Sequence, residues 1–175
     1  MKLLNTGRVA ALFSLLLAFS LSACRMHKHT AKSERKTKEV YASLKNTLGT
    51  AEVTLLKDSI RVLFPKNLMF EFNKAEVRPE LNPSLQQFAG VLQQYRNTKI
   101  LIIGRTDSVG GDRTNNQQLS ERRADSARAV IHYYGVKDRR MEHWGVGAKD
   151  PIATNGTEEG RAKNRSVEFI VLINN

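Results

Sequence analysis

The stretch GRTDSVGGDRTNNQQLSERRA, Gly104 to Ala124, reads as the join of a strand to a helix through a polar turn. Just ahead of it, Ile100 to Ile103 is a continuous apolar run, as in a buried strand. Leu119, Ala124, Ala127, Val130, Ile131 and Tyr134 then recur at helical spacing, and Gly135 stands where a helix end favours glycine. Asp107 falls at the strand end and Arg123 on the helix. A rigid pocket with one carboxylate and one guanidinium can hold both ends of a zwitterionic amino acid, which is chemistry for binding rather than catalysis. A local role for Asp107 stays open, because Thr-Asp-Ser before glycines is also turn chemistry.

Upstream, Asn82-Pro83 reads as an N-cap with proline at the first helical position, followed by Leu85, Phe88, Ala89, Leu92 and Tyr95 at helical spacing. Val53, Leu55, Ile60, Val62 and Phe64 alternate around a Lys57-Asp58 turn and predict two strands. Leu68, Phe70 and Phe72 predict another short strand. Downstream, Met141 to Val146 and Val167 to Ile173 are strand candidates, with a helical turn over Thr157 to Lys163. This order predicts an α/β fold, a two-layer sandwich with a mixed β-sheet and helices packed on one face. The expected domain is 51–175.

The first 23 residues have the layout of a signal peptide: Lys2 and Arg8, an apolar stretch from Val9 to Leu21, then Leu21-Ser22-Ala23-Cys24. The apolar run is short for a bilayer span of about 20 residues. The only cysteine, Cys24, stands at the lipidation position of a lipobox, so the expectation is a membrane anchor at Cys24 and no disulfide. Residues 24–50 are expected to form a basic tether, with a short helix around 40–48 and a reach on the order of 80 Å at about 3.3 Å per residue. The formal charge is +11, much of it in Arg25 to Lys38, where Glu34 is the only acid. That run reads as a solvated segment, with attraction to anionic headgroups as a secondary role. It has no interleaved aromatics for stacking on bases, and nucleic acid is not an expected partner.

Several spaced motifs resemble the OmpA-like domain, the peptidoglycan-binding module of bacterial envelopes. They are Phe70-Glu71-Phe72-Asn73, Gly104-Arg105-Thr106-Asp107, Asn116-Gln117-Gln118-Leu119-Ser120-Glu121-Arg122-Arg123-Ala124, and Glu159-Gly160-Arg161-Ala162-Lys163-Asn164-Arg165. The resemblance covers about 68–172. Arg105 stands where the family has histidine, and Ser166 where it has a second arginine. The resemblance implies recognition of the diaminopimelate in the peptidoglycan stem peptide. Asp107 would accept from its distal ammonium and Arg123 would pair with its distal carboxylate. Asn73, Thr106 (through its backbone), Asn116, Leu119 and Arg165 would complete the wall, with Asn164 close by. Arg122 is expected to face solvent and Arg161 to be structural. Arg105 either points to solvent or adds positive charge near the site.

No cofactor or metal is expected: His27, His29, His132 and His143 make no metal set, and the lysine and spacing of a P-loop are missing around Gly104 to Gly111. No nucleophile, histidine and acid combination has motif support, so an enzyme is not expected. The reading is a lipid-anchored outer-membrane protein on the periplasmic face, tethering membrane to wall. The alternative is an envelope signalling or assembly adaptor that uses the wall as a foothold and engages a protein partner through Val40 to Phe64 and the tether.

Overall fold

Alternating apolar positions build a five-stranded sheet in the order β1-β2-β5-β3-β4. In the computed structural model the described residues are 32–64, 69–71, 73–109 and 112–174. The expected signal peptide (1–23) and Cys24 lie outside them. The strands are β1 (Glu52–Leu55), β2 (Ser59–Leu63), β3 (Thr98–Gly104), β4 (Met141–Gly145) and β5 (Val167–Ile173). β3 and β4 are parallel, and the other neighbours are antiparallel. The sheet is therefore mixed, as expected.

The core face carries Val53, Ile60, Val62, Ile100, Ile102, Phe169 and Val171, all buried. Its centre is three rings: Phe64, Phe88 and Phe169 meet edge to face at centroid distances of 5.1–6.1 Å. Helix α2 (Asn82–Gln94) supplies Phe88, with Leu85, Ala89, Val91 and Leu92 on the same buried face. Its start differs from the expected cap. A 3₁₀ turn at Pro79–Leu81 runs straight into it, so Leu81 is the N-cap and no side chain caps the end. At its other end Arg140 donates to the carbonyls of Leu92, Tyr95 and Thr98 at 2.9–3.1 Å. Leu92 O and Tyr95 O stand at the end of α2, where carbonyls are left open, and Thr98 begins β3. Helix α3 (Arg113–Tyr133) closes as the sequence implies: Gly135 has φ 95°, and Val136 N donates to Ile131 O at 3.1 Å.

Two expectations fail. The segment expected as tether is helical over 32–47 (α1), and Val40, Leu44 and Leu48 are buried in the core, with Thr37 one turn earlier. Apolar side chains four residues apart fall on one face, which suffices to dock a helix whose other faces are charged. A short turn follows, and Thr50 Oγ1 lies 2.9 Å from Ser84 Oγ at the start of α2. The folded unit thus begins before Ala51, and 32–50, the described part of the expected tether, is not an extended segment. Among 69–71, the described part of the short strand expected over 68–72, no strand is formed. Leu68 and Phe72 lie outside the described residues, and Phe70 makes only an isolated antiparallel bridge with Val77.

Candidate functional site

The contact of α3 with the sheet is what sets the site. Gly104 and Gly145 end the parallel pair β3 and β4, and Ser120 of α3 lies against both. A Cβ on Gly104 would come within 2.0 Å of Ser120 O, and one on Gly145 within 2.3 Å of Ser120 Oγ. Ser120 is fully buried; its hydroxyl donates to Gln117 O at 2.8 Å and accepts from Gly147 N at 2.9 Å. Gln117 Nε2 donates to Gly145 O, and Gly145 N donates to Glu121 Oε2, each at 2.5 Å. Gly147, at φ 57°, turns the chain so that its carbonyl accepts from Thr106 N at 3.0 Å. These bonds fix the register of α3 over the strand ends. That register aims Asn116, Leu119 and Arg123 at the space above Asp107.

The space is a cavity of about 680 Å³ lined by Phe70, Glu71, Asn73, Thr106, Asp107, Val109, Asn115, Asn116, Leu119, Arg122, Arg123, Glu158 and Arg165. Asn73, Thr106, Asp107, Asn116, Leu119, Arg123 and Arg165, scattered over some ninety positions of sequence, are thus brought to one wall. Asn73 holds a left-handed φ of 57°, a conformation asparagine tolerates better than most residues. The Thr106 hydroxyl is buried with no partner among the described residues.

Asp107 is 8% exposed. Its Oδ1 accepts from Val109 N at 3.3 Å, which is the local turn role left open by the sequence. Its Oδ2 is ion-paired with Arg165, whose other terminal nitrogen pairs with Glu158 on α4 (Glu158–Asn164). Burial pulls the Arg165 pKa down, but the hydrogen bonds to Asp107 and Glu158 outweigh it and hold it above the ordinary value. The same contacts, Arg165 first and Arg161 second, hold the Glu158 carboxyl below its usual range.

Arg123 is 6% exposed. Its Nε donates to Lys74 O at 2.9 Å, and its guanidinium lies 5.1 Å from the centroid of the Phe70 ring. Burial lowers its pKa to about 10; repulsion from Arg165 adds to this and Asp107 partly offsets it. It remains a cation at neutral pH. Among the described residues, no carboxylate pairs with it. The cavity therefore holds a desolvated cation with no anion paired to it, near a carboxylate.

Three sequence expectations change here. Arg105 neither points to solvent nor adds charge to the cavity. It is 5% exposed, and its Nη2 lies 3.0 Å from Glu168 in a buried ion pair and 3.0 Å from the exposed Asp150. Arg122 is exposed, as expected, and also lines the mouth of the cavity. Asn164 does not line the cavity. It is fully buried and staples a loop, accepting from Ile152 N and Ala153 N and donating to Ala153 O and Asn155 Oδ1 at 2.8–3.0 Å. Glu158, Glu71 and Phe70 line the site without having been singled out for it. Phe70 carried a signal in its motif, but an exposed acid such as Glu158 carried none. Arg161 is structural as expected, bonded to Glu158 and Asn155 O.

The chain is similar to several envelope proteins. It is 40% identical over 117 residues to the Escherichia coli (strain K12) protein named "Probable lipoprotein YiaD", covering 67% of this chain and 53% of that protein. It is 37% identical over 113 residues to the outer-membrane lipoprotein YfiB of Pseudomonas aeruginosa, covering 65% and 63%. The chain thus spans between about half and two thirds of the length of these relatives. Among solved structures, the peptidoglycan-associated lipoprotein of Burkholderia pseudomallei superposes with a TM-score of 0.54 at 31% identity, over 59% of this chain and 87% of that one. The OmpA family model matches residues 69–165, from the Phe70 wall of the cavity to Arg165, and this chain belongs to the OmpA family.

Proposed function

We propose that this protein binds peptidoglycan non-covalently by its diaminopimelate-type stem peptide, and that it is anchored through lipidated Cys24 to the outer membrane on its periplasmic side. The observation that carries the reading is that Asp107 and a buried, unpaired Arg123 line the same cavity among the described residues. An ammonium docks at the free lone pairs of Asp107. A carboxylate docks at the terminal nitrogens of Arg123, where a guanidinium forms two parallel charge-assisted bonds. The names of the relatives support an envelope location, and that of the Burkholderia lipoprotein supports association with peptidoglycan. The cavity assembles recognition groups, and the reading is of binding without catalysis.

Of the segment the adaptor alternative would offer to a partner, Val40, Leu44, Leu48, Val53, Ile60, Val62 and Phe64 are buried in this chain's own core, while Leu55 and Leu56 are exposed. The test is co-sedimentation with purified sacculi. Asp107→Ala and Arg123→Ala should each lose about 2–5 kcal/mol of binding, tenfold for each 1.4 kcal/mol. Arg139→Ala, outside the cavity, should bind as the unchanged chain does. Equal binding by all of them would remove the site from this cavity. Cell fractionation of Cys24→Ser tests the anchor separately.

A further inference from the structure

A second cleft of about 250 Å³ adjoins the cavity and shares Asn116 with it; Arg113 and Lys149 stand on its walls with Ser108, Gln117 and Gly147. Among the described residues, no acidic side chain lines it. Each of the two cations is next in sequence to an acid that is engaged elsewhere. Asp112 caps α3, accepting from Thr114 N at 2.5 Å, and Asp150 is paired with Arg105 at 3.0 Å. Among the described residues the side chains of Arg113 and Lys149 make no ion pair or hydrogen bond. Both are exposed. The cleft is thus a concave, cationic neighbour to a cavity that already suits a zwitterionic residue.

We infer that this cleft is an anion subsite, in which Arg113 and Lys149 receive a second carboxylate of the peptide whose zwitterionic residue lies in the cavity. The inference rests on the stem-peptide reading of the cavity. Adjacent peptide residues advance by about 3.3–3.6 Å each, so a group one or two residues away reaches a neighbouring subsite. A stem tripeptide of L-alanine, γ-linked D-glutamate and diaminopimelate has two carboxylates besides the distal one assigned to Arg123. One is the α-carboxylate of D-glutamate and the other is the C-terminal carboxylate. Both are the same chemistry to the cleft, and amidation separates them.

The experiment is calorimetric titration of the full chain with this tripeptide and with two versions, each amidated at one of those carboxylates. The protein arms are the unchanged chain, Arg113→Gln/Lys149→Gln and Arg123→Ala. Because both cations are exposed, the double variant should weaken tripeptide binding roughly three- to tenfold. One amidated peptide should lose a similar factor with the unchanged chain and lose nothing further with the double variant, which identifies the carboxylate. Unchanged affinity in the double variant, with binding lost in Arg123→Ala, would overturn the subsite and leave the cavity reading standing. No binding of any peptide by the unchanged chain would overturn both.

Discussion

Replacing Leu44 by alanine tests whether α1 belongs to the folded core. Leu44 is 0% exposed, and Val40 and Leu48, one turn to either side, are both 2% exposed. Burying a leucine side chain contributes about 1.5–3 kcal/mol by transfer alone. Truncation adds a cavity term, and the measured range for such changes is about 2–5 kcal/mol. The neighbours on α1 are themselves held in the core and can collapse into the gap only partly, so a loss of about 3 kcal/mol is expected. Alanine is the better helix former, so propensity adds no cost. A domain of this size shifts by about 2–4 °C per kcal/mol, so Tm should fall by about 6–12 °C. Urea unfolding followed by the fluorescence of Trp144, the only tryptophan, reads the change directly. Lys45→Ala, on the exposed face of the same helix, should stay within about 0.5 kcal/mol. If Leu44→Ala were no worse than Lys45→Ala, α1 would be an accessory, and the domain would begin near Ala51 after all.

Other consequences follow from the packing behind the site and from its charges. Gly104→Ala would drive a methyl to within 2.0 Å of Ser120 O, so α3 must shift; about 1–3 kcal/mol of stability should go, with ligand affinity falling too, by denaturation and by peptide titration. Arg105→Leu leaves the 5%-exposed Glu168 with only Arg61 nearby among the described residues, at 3.9 Å, and should cost about 3–5 kcal/mol, whereas Arg105→Leu/Glu168→Leu should recover most of it in the same unfolding assay. The Arg123 pKa is depressed to about 10, so its buried charge opposes folding below that pH, and this cost is relieved as pH rises above about 10. Carboxylate binding needs the cation, so the affinity of a ligand analogue lacking the amine should be flat from pH 7 to 9 and fall about tenfold by pH 11.

The fold was legible wherever one period ran unbroken. The alternation through Ile60, Val62 and Phe64 and the helical spacing from Leu85 to Leu92 both survive in the structure. The tether failed because Lys32 to Lys38 dominates its composition, while three apolar residues at four-residue spacing decide whether a helix docks. Composition averages over faces, and burial does not. At the site, Asp107 and Arg123 could be read from motif spacing. The direction of Arg105 could not, because it depends on Glu168, 63 positions later, offering a buried partner. Arg122 is exposed, as expected, and also lines the cavity: adjacent positions on a helix differ by about 100°, but a long side chain at a cavity mouth still reaches its rim.

The ion pair between Asp107 and Arg165 makes the two ends of a zwitterionic ligand unequal. Asp107 Oδ2 already has a cationic partner, and Oδ1 already accepts from Val109 N. A carboxylate has about four lone-pair sites, so an incoming ammonium can be added. It joins a carboxylate whose charge is largely answered, and it meets the Arg165 cation beside it. Arg123 is the reverse case. The desolvation of its guanidinium is met in folding, Arg165 repels it, and no anion pairs with it among the described residues. A ligand carboxylate there relieves an existing electrostatic cost in a site where charges are weakly screened. Most of the binding energy should therefore come from the carboxylate end. Removing the ligand's carboxylate should cost more affinity than removing its amine, and Arg123→Ala should weaken binding more than Asp107→Ala, by titration with the same peptide. Equal losses at the two ends would mean that Arg165 leaves Asp107 on binding, and the Asp107–Arg165 pair would then be a competitor of the ligand rather than part of its wall.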